Sequence, residues 1–187
     1  MDDRERALIC KIRNGNEHAF KMVFEAYHAD LCRFASQFVH VSSHARDVVQ
    51  QVFLRIWESR KNWTVHTSLQ AYLYRSVRNR ALNSIRHEKA SSAMKDRLKE
   101  NTRFSQPRTA EDVYCQARLR ERIDEAIAAL PDRQKTAFLL QRRHGLSYRE
   151  ISAVMNIAQK TVENHIGRAL KSLREKLKMQ RSEYLEL

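Results

Sequence analysis

Three glycines and two prolines in 187 residues leave this chain almost nothing with which to turn hairpins or punctuate strands. That scarcity predicts an all-α fold. Hydrophobic residues, at 42%, suffice to fill helical cores, and charged residues, at 30%, suffice to coat them. With domains of about 150 residues typical, the length suits one ordinary domain or two small ones and excludes a large multidomain enzyme.

The formal net charge is +13, a balance that favours a polyanionic partner, either nucleic acid or an anionic membrane surface. No apolar run approaches the roughly 18 residues of a membrane span, and Met1-Asp2-Asp3-Arg4-Glu5-Arg6 lacks the basic-then-apolar order of a signal peptide. A cytoplasmic protein without membrane insertion is expected. Cys10, Cys32 and Cys115 are far apart and odd in number, with no CxxC, so neither a disulfide framework nor a zinc site is expected and the thiols read as buried or idle. The eight histidines are scattered and read as solvated; His40 and His44 flank a capping loop without a third ligand. No glycine-rich phosphate loop, convergent carboxylate pair or Ser/His/Asp order stands on plausible turns, so neither an enzyme nor a cofactor is expected.

Helical periodicity marks the elements. A short amphipathic helix stops near Gly15. Phe20, Val23, Phe24, Tyr27, Leu31, Phe34 and Phe38 then repeat at three and four, the spacing of a helix with one buried face. Ser42 or Ser43 offers the next N-cap, Asp47 would sit in the first turn, and Val48, Val49, Val52, Phe53, Ile56 and Trp57 form the stripe of a second long helix. Between Glu58 and Ser68 the periodicity lapses. Thr67 or Ser68 caps a third helix with Leu69, Tyr72, Leu73, Val77, Leu82 and Ile85 inward and Arg75, Arg78, Asn79, Arg80, Asn83 and Arg86 on the other face. From His87 to about Glu111 no apolar face can be drawn, and the mixed polar composition is that of a flexible linker between two helical lobes.

In the second lobe, Leu119, Ile123, Ile127 and Leu130 form a helix ending at Pro131, and Pro131-Asp132 starts another that runs to Gly145. Ser147-Tyr148-Arg149-Glu150 has the capping-box pattern and opens a short helix. After Asn156-Ile157-Ala158 a longer basic helix begins near Gln159, with Val162, Ile166, Ala169, Leu170, Leu173 and Leu177 inward. A capped short helix, a tight turn and a longer basic helix form the helix-turn-helix pattern, whose second helix lies in the DNA major groove. Gln159, Lys160, Glu163, Asn164 and Arg168 point outward from it and carry the groups that read base edges or phosphates. Gly167, within that helix, fits either close approach to a backbone or simple tolerance. In the first lobe, the basic face of the third helix together with Tyr72, Tyr74 and Trp63 is a mixture that binds single strands by charge and stacking. Tyr72 reads as core; Trp63 either stacks on a base or folds back over the lobe.

Asp47-Val48-Val49-Gln50-Gln51-Val52-Phe53-Leu54-Arg55-Ile56-Trp57-Glu58 resembles the core-polymerase-binding helix of bacterial sigma factors, and Ala71-Tyr72-Leu73-Tyr74-Arg75-Ser76-Val77-Arg78-Asn79-Arg80 resembles the promoter-melting helix that follows it. Leu130-Pro131-Asp132-Arg133 through Leu146-Ser147-Tyr148-Arg149-Glu150-Ile151 to Lys160-Thr161-Val162-Glu163-Asn164-His165-Ile166 is similar to the domain that reads the minus-thirty-five element. The order of the motifs is the two-domain plan of extracytoplasmic-function (ECF) sigma factors.

The resemblance implies a core-polymerase- and minus-ten-binding domain over 1–90, a linker over 91–111 and a minus-thirty-five-binding domain over 112–187. It implies that Asp47, Gln50, Gln51, Arg55 and Glu58 face the clamp helices of the polymerase β′ subunit. Trp63, Tyr74, Arg75, Arg78, Asn79, Arg80 and Asn83 would meet the minus-ten DNA, with Trp63 and Asn79 forming a pocket for a flipped base. Lys160, Thr161, Glu163, Asn164, Arg168 and Lys171 would meet the minus-thirty-five element. The implied partners are core RNA polymerase, through the β′ clamp helices and the β flap, promoter DNA, and an anti-sigma factor, which is common in the family. Ala158 departs from a frequent capping serine, and Glu163 from a residue that is basic in some relatives. Thr161-Val162-Glu163-Asn164-His165-Ile166 also resembles the helix-turn-helix of LuxR-type regulators, the alternative reading, against which the Asp47 to Glu58 motif argues. A helical adaptor or anti-sigma-like interaction protein is a third class, disfavoured by basic faces on both lobes.

Overall fold

The computed structural model describes residues 2–39, 41–92 and 121–183, and all regular structure among them is helical. The chain divides between Arg103 and Phe104 into two compact units. Residues 93–120, which hold most of the expected linker together with Leu119 and Cys115, lie outside the described residues.

The first unit contains α1 (Asp3–Arg13), α2 (Glu17–Ala35), α3 (Ser42–Glu58), a 3-10 turn (Arg60–Asn62) and α4 (Leu69–Ser92). Gly15, at φ +82°, turns the chain out of α1 in the left-handed region, and its N–H donates to the Ile12 carbonyl at 2.9 Å. The next residue, Asn16, caps α2 by accepting from the Ala19 N–H at 2.8 Å. Helices α2, α3 and α4 pack on one another. Their buried stripes are Val23, Leu31 and Phe34 on α2, Val48, Val49, Val52, Phe53 and Ile56 on α3, and Leu69, Leu73, Val77 and Ala81 on α4. Aromatic edges fill the seams: Phe53 meets Phe20 and Phe24 at centroid distances of 5.9 and 5.0 Å, and Phe34 meets Tyr74 at 5.0 Å.

Several expectations change here. Neither Ser42 nor Ser43 caps α3: Val41 occupies the N-cap without a side-chain bond, and the Ala45 N–H already reaches the Val41 carbonyl at 3.2 Å. The helix therefore starts earlier, and Asp47 lies beyond its first turn. Ser68 does cap α4, accepting from the Ala71 N–H at 3.2 Å. The α4 backbone stays helical to Ser92, into the expected linker, where His87-Glu88-Lys89-Ala90 includes three strong helix formers. Tyr74 is 1% exposed because Val77 and Ala81, three and seven residues on, share its inward face. Trp63 is 4% exposed, its ring edge-on to Tyr72 at 5.7 Å. Of its two readings, the one in which the indole covers the lobe holds.

The second unit contains α5 (121–128), α6 (Asp132–Arg142), α7 (Tyr148–Met155) and α8 (Gln159–Glu183). Ile123 is exposed instead of inward; Ala126 and Leu130, one turn apart, take the inner face and pack with Ala169 and Leu173, flanked by Ile127 and Phe138. Gly145, at φ +69°, ends the turn after α6. The capping box forms in full: the Ser147 hydroxyl accepts from the Glu150 N–H at 3.3 Å, and the Glu150 carboxylate accepts from the Ser147 N–H at 2.9 Å. Asn156, at φ 55° and ψ 53°, makes the left-handed turn out of α7, a conformation asparagine tolerates better than most residues. Leu139, Leu140, Leu146, Ile151, Val154, Val162 and Ile166 close the core.

Two histidines expected in solvent are not there. His144 is buried, and His165, on α8, is half-buried with both ring nitrogens out of solvent and without hydrogen-bond partners. Burial pushes the His165 pKa down, and the charges of Arg133 and Arg168 push the same way.

The burial of Trp63 implies that Trp63→Ala destabilises the first unit by about 3–5 kcal/mol, the usual cost of truncating a large core aromatic. Urea denaturation of the variant measures this; an unchanged midpoint would return the ring to the exterior. His165 yields a pH prediction. The unfolded chain takes up its proton near pH 6.5 and the folded chain only at a lower pH, so the stabilisation from neutral His165 is complete above about pH 6.5 and is lost as pH falls through the folded value. Amide protection in α6–α8 should therefore fall between neutral pH and pH 5, and His165→Gln should reduce that dependence.

Candidate functional site

On α3, the closed core settles what the opposite face presents. Asp47, Gln50, Gln51, Arg55 and Glu58 are all exposed, and Val48, Val52 and Ile56 are buried behind them. One further residue belongs to this face, although the sequence motifs did not single it out. Leu54 is 56% exposed, seven residues after Asp47 and four before Glu58, and so lies on the same stripe. Its signal was legible: an apolar residue at the helical spacing of the polar set.

The basic face of α4 is likewise turned outward. Arg75, Asn79, Arg80, Asn83 and Arg86 are exposed, and Arg78 is half-buried. Tyr74 and Trp63 are not on this surface, so the expected pairing of an exposed indole with the Asn79 amide is split between core and exterior. A hydrogen bond joins the two helical faces: the Arg80 Nε–H donates to Gln51 Oε1 at 2.8 Å. Arg80, from the expected DNA set, is thereby held by Gln51, from the expected polymerase set.

In the second unit, Gln159, Lys160, Glu163, Asn164, Arg168 and Lys171 are exposed along one flank of α8. Thr161 is half-buried, since it lies beside the fully buried Val162 at the start of the helix. Lys160 Nζ pairs with Glu163 Oε2 at 2.8 Å, so the acidic residue in this basic surface is partly neutralised from within its own helix. A side chain at Gly167 would meet nothing within 4 Å, so packing inside the unit does not require the glycine. It leaves a bare strip of helix between Asn164 and Arg168. Two further groups stand at the start of α7, Tyr148, 37% exposed, and Arg149, also exposed, neither of which was among the expected DNA contacts.

The remaining chemistry is sparse. Cys10 is exposed, which removes the buried reading of that thiol and leaves the idle one, because it falls on the outer side of α1 next to the buried Ile9. Cys32 is half-buried beside His28, with Sγ and Nε2 3.6 Å apart, and burial raises its thiol pKa. Among the described residues, no cluster of His, Cys, Asp and Glu can hold a metal ion, and no helix is long and apolar enough to cross a membrane.

Comparison with known proteins matches both units. The family model described as sigma-70 region 2 matches residues 23–91, and that described as sigma-70, region 4 matches residues 120–173. The chain is 26% identical over 178 residues to the RNA polymerase sigma-H factor of Pseudomonas aeruginosa, covering 91% of this chain and 92% of the relative. It is 25% identical over 180 residues to the ECF RNA polymerase sigma-E factor of Escherichia coli K12, covering 92% and 94%. Among solved structures, the sigma factor RpoE from Bartonella quintana, seen in complex with the anti-sigma factor NepR, superimposes with a TM-score of 0.67 over 85% of this chain and 96% of that one; at 23% identity it attests the fold. With two sigma-70 regions in order, each on its own helical unit, and relatives of this kind along nearly its whole length, the chain belongs to the sigma-70 family, as an ECF sigma factor.

Proposed function

We propose that this chain binds core RNA polymerase through α3, reads promoter duplex through α8 and engages the opened strand through α4 and the segment preceding it. The observation that carries the reading is the α3 face: a helix whose other side is sealed in a core presents a continuous row of Asp47, Gln51, Leu54 and Glu58 to an outside partner. An exposed leucine ringed by polar groups is the pattern of an interface anchor, in which a small apolar contact supplies affinity and its rim supplies register. A LuxR-type regulator has no need of such a face in its first lobe, and the sigma-70 region 2 match covers that lobe.

The division of labour follows from the chemistry of the two surfaces. Lys160, Asn164 and Arg168 on α8 offer hydrogen-bonding groups from a helix of the kind that enters a major groove. Arg75, Arg80 and Asn83 on α4 supply charge and amides for a strand already separated, where base edges are free. The domain roles then fall on 1–90 and 112–187, with 91–111 between them. The protein acts as an initiation factor in the cytoplasm: it supplies binding energy to the polymerase and no chemical step of its own. An anti-sigma factor that covers these faces is the expected negative regulator, as NepR accompanies RpoE.

Addition of this protein to core polymerase should produce initiation at specific promoters in vitro; a regulator of the LuxR type would leave core polymerase inactive on the same templates. Asp47→Arg and Leu54→Ala should each weaken association with core polymerase, by about tenfold where an anchor is lost, while leaving the thermal melt nearly unchanged. Loss of stability with unaltered polymerase affinity would remove α3 from the interface. On α8, Asn164→Ala should relax sequence preference at one or two duplex positions, since a bidentate base contact is worth about 1–3 kcal/mol of discrimination. Lys171→Ala should instead lower affinity for all duplexes alike. Selection of preferred duplexes from a random pool separates the two outcomes.

A further inference from the structure

Two adjoining hollows, of about 540 and 340 Å³, lie between α1 and the segment that joins α3 to α4. They share Cys10 and Arg13, and so form one open trough along the side of α1. Arg6 and Arg13 line it from α1, Arg60 and Lys61 from the 3-10 turn, and Trp63 from the residue that follows; no carboxylate lines either hollow.

The charges in this trough are poorly compensated. Arg13 donates to the Lys61 carbonyl at 3.4 Å, and Arg60 donates to the Trp57 carbonyl at 2.8 Å with its guanidinium over the Trp57 ring at 4.5 Å, so these partners are all neutral. Arg6 pairs with Asp3 at 3.6 Å, both side chains being well solvated. Like charges gathered on one concave surface repel, and an anion relieves the repulsion.

A small-molecule pocket is enclosed and mostly apolar, whereas this trough is open and cationic, a shape and charge suited to a polymer backbone. Trp63, which lines it, also packs against Tyr72 of α4, so the trough lies beside the start of that helix. We infer that the trough takes the phosphodiester backbone of the opened DNA strand as it leaves the basic face of α4, with Arg6, Arg13, Arg60 and Lys61 as the phosphate contacts. The inference rests on the proposed strand-opening role and gives α1, which that role does not use, a part in it.

The test uses holoenzyme assembled from core polymerase and the full-length chain, with a labelled single strand taken from a promoter on which it initiates. Each phosphate contact to a single strand contributes about 0.7 to the slope of log affinity against log salt, so Arg6→Gln, Arg13→Gln and Lys61→Gln together should reduce that slope by about 2 and lower affinity near 0.1 M salt by roughly tenfold to a hundredfold. The charge-conserving Arg6→Lys with Arg13→Lys should keep the slope, and closed-complex binding to duplex should be unchanged in both. Should the triple variant fold poorly, Lys61→Gln alone should lower the slope by about 0.7. Wild-type binding of the strand with an unaltered slope in the variants overturns the trough and leaves the strand-opening role standing, which is also the outcome if the trough serves an acidic protein segment. Failure of wild-type holoenzyme to bind the strand at all overturns both.

Discussion

The mutual burial of the α2, α3 and α4 stripes is the constraint on which the rest of the first unit depends. Helix α3 is the middle of this arrangement in the sense that matters for function: Val48, Val49, Val52, Phe53 and Ile56 are withdrawn from water, and only the opposite side of the helix remains available. At about 25 cal/mol per Å² of apolar surface, this burial is the main term holding α3 at a fixed rotation about its own axis. A rotation by one residue would expose that stripe. The face bearing Asp47, Gln51, Leu54 and Glu58 is thus presented rigidly without any of its own side chains being needed for the fold, so it is free to be spent on a partner. The same logic places Arg75, Asn79 and Asn83 outward on α4, opposite Leu69, Leu73 and Val77.

The second unit solves a different problem, which is to hold a short helix against a long one at a tight corner. The capping box fixes where α7 begins, and the left-handed Asn156 fixes where it ends, leaving eight residues for the whole element. Such a helix is too short to be stable alone. Ile151, Val154 and Met155 are buried, so tertiary packing supplies what length does not. Helix α8 then starts with its Thr161 and Val162 N–H groups bonded to the Ala158 carbonyl at 2.9 and 3.1 Å.

Most of the architecture was legible in the sequence because it rests on local, periodic signals. The stripes at three and four, Gly15 and Gly145 after helices, Ser68 as a cap and the Ser147/Glu150 box each have a mechanism that acts within a few residues. What failed to show was decided by contacts between elements distant in sequence. Trp63 stands in a polar segment without periodic neighbours, and nothing nearby in the chain announces that Tyr72 and the α1 side will cover it. Tyr74 was assigned outward by its place in a basic run, yet Phe34, forty residues earlier, receives its ring. His165 lies in a polar stretch of α8, but its ring nitrogens are out of solvent. The polar face of α3 was legible as a set of exposed residues, whereas the minus-ten set joined exposed Arg75, Asn79, Arg80 and Asn83 to buried Tyr74 and Trp63, and Leu54 escaped because an apolar residue does not stand out within a polar row.

The bond between Arg80 and Gln51 gives the first unit a property that neither helix has by itself. A guanidinium whose Nε–H is already engaged keeps its terminal N–H groups for another acceptor, and its long side chain has fewer rotamers left to lose when a phosphate arrives. Preorganisation of this kind improves binding to the strand only while Gln51 stays where α3 puts it. If a partner of α3 draws the Gln51 amide into its own hydrogen bonds, Arg80 is released; if it packs beside the amide, Arg80 is held more firmly. If α3 binds polymerase and α4 the opened strand, as proposed, the two interfaces are linked through this exposed hydrogen bond, and linkage is reciprocal: an effect of polymerase on the strand contact through Gln51 would be matched by an equal effect of the strand on the polymerase contact.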